Sequence, residues 1–127
     1  MSDIKKSILI LEDEMALQRI IKDKFEHEGF NTVTARSAGQ AWQYLETIKD
    51  IACLWVDHYL LGKESGLDFV VKVKEENSSF RNIPIFVVSN TASEQKVSAY
   101  LNLGVNKYFT KANYKLDDII SEIKGIL

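Results

Sequence analysis

Three acidic residues, one hydroxyl and one lysine each follow a short apolar run in this chain, and together they suit magnesium-assisted phosphoryl chemistry. Ser7–Leu11 stops at Glu12 and Asp13, Ile51–Val56 at Asp57, Ile85–Val88 at Ser89, and Lys107–Thr110 at Lys111. Two like charges about 4 Å apart at an effective dielectric near 20 repel by roughly 4 kcal/mol. Neighbouring carboxylates therefore need a retained proton or a bound cation. An all-oxygen set without histidine or cysteine favours a hard ion, and magnesium takes one or two carboxylates while keeping several waters. An aspartate in such a site can accept a phosphoryl group as an acyl phosphate. That reaction asks for positioning and charge neutralisation more than for acid–base help. Lys111 can serve as a point charge on one phosphoryl oxygen and Ser89 as a hydroxyl donor to another. Singly, each residue has a plainer reading: Glu12 and Asp13 as acidic residues opening a helix, Ser89 as a turn residue, Lys111 as a solvated lysine.

For these residues to meet, the apolar runs must be neighbouring strands. Short continuous apolar runs read as strands of a parallel sheet covered on both faces. Ligands of open sheets bind beyond the carboxyl ends of the strands. Helical spacing fills the intervals. Leu17, Ile20, Ile21 and Phe25 precede a stop at Gly29, and Ala38, Ala41, Trp42, Leu45 and Ile48 follow a Ser37–Gln40 capping box. Leu67, Val70 and Val71 face inward from a third helix, after the loop Leu61–Gly66 and before a stop at Asn77–Ser79. Val97, Tyr100 and Leu101 share one side of a helix capped by Ser93 and ended by Gly104. Leu116, Ile119, Ile120, Ile123 and Leu127 mark the last. Phe30–Ala35 supplies the remaining strand, the most polar and so placed at an edge; strands one, three, four and five are the central candidates. Five βα units make an α/β fold with a single five-stranded parallel sheet, right-handed crossovers and helices on both faces.

The 127 residues suffice for one domain, 1–127. The net charge of -2 offers no basic face for nucleic acid. The apolar runs are far shorter than a membrane span, and Met1–Lys6 lacks the apolar segment of a signal peptide. The single cysteine, Cys53, lies inside a buried strand and reads as core filler in a reducing cytoplasm. His27 reads as a surface residue near a helix end. His58 follows Asp57, and strand alternation turns it away from that side chain. Trp42 and Trp55 read as packing residues.

Leu11-Glu-Asp-Glu14, Trp55-Val-Asp57, Val87-Val-Ser89 and Tyr108-Phe-Thr-Lys111, in that order and at these spacings, resemble the receiver domain of bacterial response regulators over essentially the whole chain. These are the CheY-like phosphoacceptors of two-component signalling. The resemblance implies a flavodoxin-like (βα)5 fold with sheet order 2-1-3-4-5. It implies Asp57 as phosphoacceptor, Asp13 as a direct Mg2+ ligand, Glu12 as a ligand acting mainly through water, and Tyr59 as a ligand through its backbone carbonyl. It further implies Ser89 as the switch hydroxyl, Lys111 as the phosphate-binding lysine and Tyr108 as the aromatic whose rotamer reports phosphorylation. The implied donor is a phosphohistidine on a sensor histidine kinase or a histidine phosphotransfer protein. The implied readout is the surface of helix four, strand five and helix five, acting on an output partner or fused domain, with a phosphorylation-dependent dimer as one form of output. Such a domain is cytoplasmic, touches neither nucleic acid nor membrane directly, and is no enzyme beyond its own phosphotransfer and autodephosphorylation.

Three departures stand out. Ala112 occupies the family's usual proline position after the lysine. Leu61 stands where proline is common, in a loop one residue longer than the commonest form. Asn90 replaces a usual small residue and, with Tyr59, is expected to narrow the entrance and slow loss of the phosphoryl group. Three other readings compete. A receiver-like interaction module that is never phosphorylated would not need the intact acidic cluster. An aspartate-nucleophile phosphohydrolase would carry a second aspartate where Tyr59 stands, and its nucleophile would follow the first strand. A flavodoxin would need a Ser/Thr/Gly-rich phosphate loop where Glu12-Asp-Glu14 repels phosphate.

Overall fold

Five strands form one parallel sheet in the order β2-β1-β3-β4-β5: β1 (Ser7–Leu11), β2 (Asn31–Ala35), β3 (Ile51–Val56), β4 (Ile85–Ser89) and β5 (Lys107–Thr110). Helices α1 (Met15–His27), α2 (Ala38–Thr47), α3 (Gly66–Val73), α4 (Glu94–Asn102) and α5 (Leu116–Ile126) follow the strands in turn. A 3-10 turn, Lys111–Asn113, separates β5 from α5. The computed structural model describes residues 5–91 and 93–127, so Met1–Ile4 of the N-terminal segment read above lie outside the described residues. The flavodoxin-like order implied by the sequence is the one observed.

Strand alternation sorts the apolar residues onto two faces. Leu9, Leu11, Leu54, Val56, Ile85 and Val87 pack with residues of α2, α3 and α4. Ile8, Ile10, Cys53, Trp55, Phe86, Val88 and Phe109 pack with residues of α1 and α5. Both faces are covered, which is why the strands read as unbroken apolar runs. Fully burying one large apolar side chain contributes roughly 1.5–3 kcal/mol. This two-sided burial fixes register, because a slip of one residue would exchange the faces of a whole strand.

The polar strand β2 lies at an edge as expected. β5 does not lie in the centre: it forms the other edge, and of its four residues only Phe109 is fully buried. Ile20, Val71 and Leu101 are also not inward, being 47%, 44% and 49% exposed. In α3 the inward stripe is Phe69, Val70 and Val73, which turns Val71 to solvent. That helix ends at Val73, before Asn77, and the chain folds back so that Phe80 meets Trp42 edge-on with ring centroids 5.4 Å apart. The expected Ser37–Gln40 box is half formed. Ser37 Oγ accepts from Gln40 N–H, but Gln40 Oε1 accepts from Arg36 N–H rather than from Ser37. A reciprocal box not read from the sequence, Ser65 with Asp68, opens α3.

Gly66 begins α3 directly beneath the end of β3. Its N–H donates to the His58 carbonyl at 2.8 Å. A Cβ there would stand 2.1 Å from the Asp57 carbonyl oxygen and 2.9 Å from the Tyr100 hydroxyl. The backbone oxygen cannot yield without moving Asp57 itself. Gly66→Ala should therefore destabilise the fold by about 1–3 kcal/mol. Gly39→Ala, in α2 with nothing within 4 Å of a new Cβ, should stabilise it by about 0.5–1 kcal/mol. Urea denaturation of the two variants checks both; a Gly66→Ala protein as stable as the parent would contradict the close approach.

Candidate functional site

Leu11 of β1 lies opposite Val56 of β3, and Asp57 N–H donates to the Leu11 carbonyl at 3.0 Å. Glu12, Asp13 and Asp57 therefore leave the sheet side by side. One carboxylate oxygen from each lies within 4.8 Å of the other two. Glu12 is 1% exposed and Asp57 4%, so water does little to screen them. Lys111 enters from the far edge of the sheet. Its Nζ donates to Glu12 Oε1 at 2.9 Å and to Asp57 Oδ2 at 3.0 Å. It does so with Ala112 following and with a trans peptide bond. The other oxygens have backbone partners: Asp57 Oδ1 accepts from His58 N–H at 2.7 Å, and Glu12 Oε2 from Glu14 N–H at 3.1 Å.

Burial, and then the charge of Asp57, push the Glu12 carboxyl from 4.5 up to about 7, against the opposing hydrogen bond from Lys111. Burial disfavours the charge on Lys111, but its hydrogen bonds and charge interactions with Glu12 and Asp57 outweigh that, and its pKa is raised. One ammonium leaves three carboxylates short of positive charge. The donors are all hard oxygens, so the set fits Mg2+. Tyr59, the implied carbonyl ligand, lies two residues beyond Asp57 on the same loop and is 53% exposed.

Gln18 and Arg36, which carried no sequence signal, and Leu61 hold this edge in place. Gln18 Nε2 donates to the carbonyls of Glu12 and Ala35 at 3.0 and 3.1 Å, tying the ends of β1 and β2 together. Arg36 Nε donates to the Asp13 carbonyl at 2.9 Å. Leu61 N–H donates to the Arg36 carbonyl at 3.0 Å, and Leu61 bridges Ser37. A proline at position 61 would lack that donor, so the departure from the family pattern closes the β3–α3 loop onto the end of β2.

Ser89 is fully buried at the end of β4, and its Oγ accepts from Thr91 N–H at 3.4 Å. The Tyr108 hydroxyl donates to the Thr91 carbonyl at 2.6 Å, so both switch candidates address the same loop. Burial raises the Tyr108 phenol, and a hydrogen bond with Ser89 opposes the rise. Tyr59 is held outside by α4: Lys96 Nζ lies 3.3 Å from its hydroxyl and 5.3 Å from its ring centroid. Asn90 is exposed.

His58 is turned away from the Asp57 side chain, as alternation requires, and is buried against α4 with Nδ1 2.7 Å from the Tyr100 hydroxyl. Burial, and then Lys96, lower the His58 imidazole, while burial raises the Tyr100 phenol. A neutral phenol and a neutral imidazole thus share this hydrogen bond. His27 is exposed at the end of α1. Trp55 is buried in the core, and Trp42 packs on Phe80 beneath the Lys72 ammonium. Cys53 is fully buried, which pushes its thiol up to about 12. Among the described residues no helix is long and apolar enough to cross a membrane.

Residues 8–124 match the family described as the response regulator receiver domain. The chain is 31% identical to the chemotaxis protein CheY1 of Helicobacter pylori over 105 residues, covering 82% of this chain and 83% of that protein. It resembles the Mn(2+)-bound form of the response regulator Rcp1 at a TM-score of 0.79 and 26% identity, covering 95% of this chain and 91% of the other. The phosphorylated cyanobacterial phytochrome response regulator RcpA is similar at a TM-score of 0.81 and 25% identity, over 97% and 91% of the two chains.

The site's charge balance is measurable without any substrate. In metal-free protein the folded state keeps the Glu12 proton up to about pH 7, whereas the unfolded chain loses it near 4.5. The folded state binds more protons between those values, so this contribution is whole below pH 4.5 and lost as pH rises to about 7. The loss is on the order of 3 kcal/mol. Urea midpoints across that window in a chelator should fall more steeply for the parent than for Glu12→Gln, which cannot ionise. Parallel profiles would mean that Glu12 is not held protonated.

Proposed function

This chain belongs to the response regulator receiver family, and on that footing we propose that Asp57 accepts a phosphoryl group from a phosphohistidine with Mg2+ held by Glu12, Asp13, Asp57 and the Tyr59 carbonyl. The observation that carries the reading is the meeting of three carboxylates within 4.8 Å beside the Lys111 ammonium. Mn2+ bound to one similar regulator and phosphorylation of another support it.

The Asp57 carboxylate is already aimed by two hydrogen bonds, from His58 N–H and from Lys111. An Asp57 oxygen attacks phosphorus, the P–N bond of the donor breaks, and the imidazole leaves with a proton from solvent. Bound magnesium supplies positive charge against the carboxylates and the phosphoryl oxygens. Lys111 moves its ammonium from carboxylate to phosphoryl oxygen, a change of partner between neighbouring anions. Ser89 donates its hydroxyl to another phosphoryl oxygen. That draws on the loop whose Thr91 carbonyl holds Tyr108 beside Tyr100, and Tyr108 moves with the loop. Only such a differential contact can shift the balance between two states. Asn90 and Tyr59, at the mouth, slow the return of water and lengthen the life of the phosphoryl group.

On this reading the protein is a cytoplasmic switch rather than an enzyme acting on other molecules. A sensor histidine kinase or a histidine phosphotransfer protein supplies the phosphoryl group, and α4, β5 and α5 present the result to an output partner or a second copy.

Incubation with acetyl phosphate and Mg2+, followed by intact mass measurement, tests the proposal. The parent should gain about 80 Da, one phosphoryl group, while Asp57→Asn and the chelator-treated parent should gain nothing. An unmodified parent would favour the interaction module that takes no phosphate; an undiminished gain in Asp57→Asn would place the acceptor elsewhere.

A further inference from the structure

We propose that His58 is a positioning residue that couples the state of Asp57 to helix α4 through Tyr100, separately from Ser89 and Tyr108. The inference rests on Asp57 being the phosphoacceptor.

His58 is joined to three parts of the molecule at once. Its N–H donates to Asp57 Oδ1 at 2.7 Å, its carbonyl accepts from Gly66 N–H of α3 at 2.8 Å, and its ring meets the Tyr100 hydroxyl of α4 at 2.7 Å. Tyr100 is fully buried, so its phenol has little water to turn to. The hydroxyl reaches this position because residue 66 has no side chain: a Cβ there would stand 2.9 Å from it. The two rings cross nearly perpendicular, with centroids 5.8 Å apart. Tyr100 also lies against Tyr108, at 5.6 Å, so α4 is placed between the two routes.

The bond from His58 N–H is charge-assisted while Asp57 is a carboxylate, and charge-assisted bonds are roughly twice as strong as neutral ones. Acyl phosphate formation takes the negative charge off the carboxyl group. The N–H then bonds a neutral acyl oxygen, and the His58 backbone is held less firmly. The ring is part of the same residue, and among the described residues it is the hydrogen-bond partner of the buried phenol. Loosening His58 therefore changes how α4 is fastened. The Ser89 route pulls on the β4–α4 loop; this one releases the helix body at Tyr100.

Hydrogen exchange on the α4 amides, with and without acetyl phosphate and Mg2+ and with intact mass taken on each sample, tests the coupling. In the parent, exchange of the segment around Tyr100 should change by about threefold or more on phosphorylation. Tyr100→Phe keeps the ring and removes the hydroxyl; His58→Phe keeps a planar ring and removes the ring nitrogen that bonds it. Each should gain the phosphoryl mass and lose about half or more of the α4 change. Because one bond is at stake, the double variant should respond like either single variant. A single variant that is fully phosphorylated and keeps the parental α4 change would overturn the proposal. So would a double variant whose losses add, which is the mark of two independent packing defects. If the parent gains no mass, the phosphoacceptor reading itself fails, and this coupling with it.

Discussion

Electrostatic repulsion among three carboxylates is the constraint on which this molecule is organised. Parallel pairing of β1 and β3 forces Glu12, Asp13 and Asp57 out of the sheet at one place. Burial denies Glu12 and Asp57 the water that would screen them. The chain meets part of that cost with a lysine from the opposite edge of the sheet, and part by holding a proton on Glu12 far above its ordinary range. Both are partial remedies. On the proposed reading a divalent ion would complete the balance, and a phosphoryl group would bring its own negative charge to the same place. On that reading the site would bind a cation and an anion together, each easing the charge of the other.

The scaffold's contribution is stiffness at that edge. Two faces of apolar packing fix strand register, so strand ends cannot drift. Around them, hydrogen bonds from Gln18, Arg36 and Leu61 pin the loop backbone without entering the acidic cluster. The parts proposed to respond lie one layer out: Ser89, Thr91 and Tyr108 along one line, His58 and Tyr100 along another. A switch of the proposed kind needs that arrangement, since a change of charge must be felt beside the site without disturbing the geometry at Asp57.

Much of this was legible in the sequence, for a definite reason. Strands buried on both sides leave continuous apolar runs, so their polar terminators mark the functional edge with little ambiguity. The acidic pair, Asp57, Ser89 and Lys111 were found this way. What escaped depends on direction and distance rather than residue type. Helical spacing put Tyr100 on an inward face, yet could not say that its hydroxyl would end on His58. It put Val71 inward as well, because Phe69 and Val71 are equally apolar and only the packed helix chooses between them. Nothing in composition marks Gly66 as the position where a methyl group would strike the Asp57 carbonyl. β5 has the apolar run of a central strand, but its place at the edge is a matter of topology.

Direct titration with Mn2+, followed by the loss of the free-ion paramagnetic resonance signal, is the sharpest test of the central claim. The account expects one ion per chain, with affinity reduced tenfold or more, about 1.4 kcal/mol, by Asp13→Asn and again by Asp57→Asn. A chain that takes up no ion, or one whose affinity is indifferent to both substitutions, would contradict it.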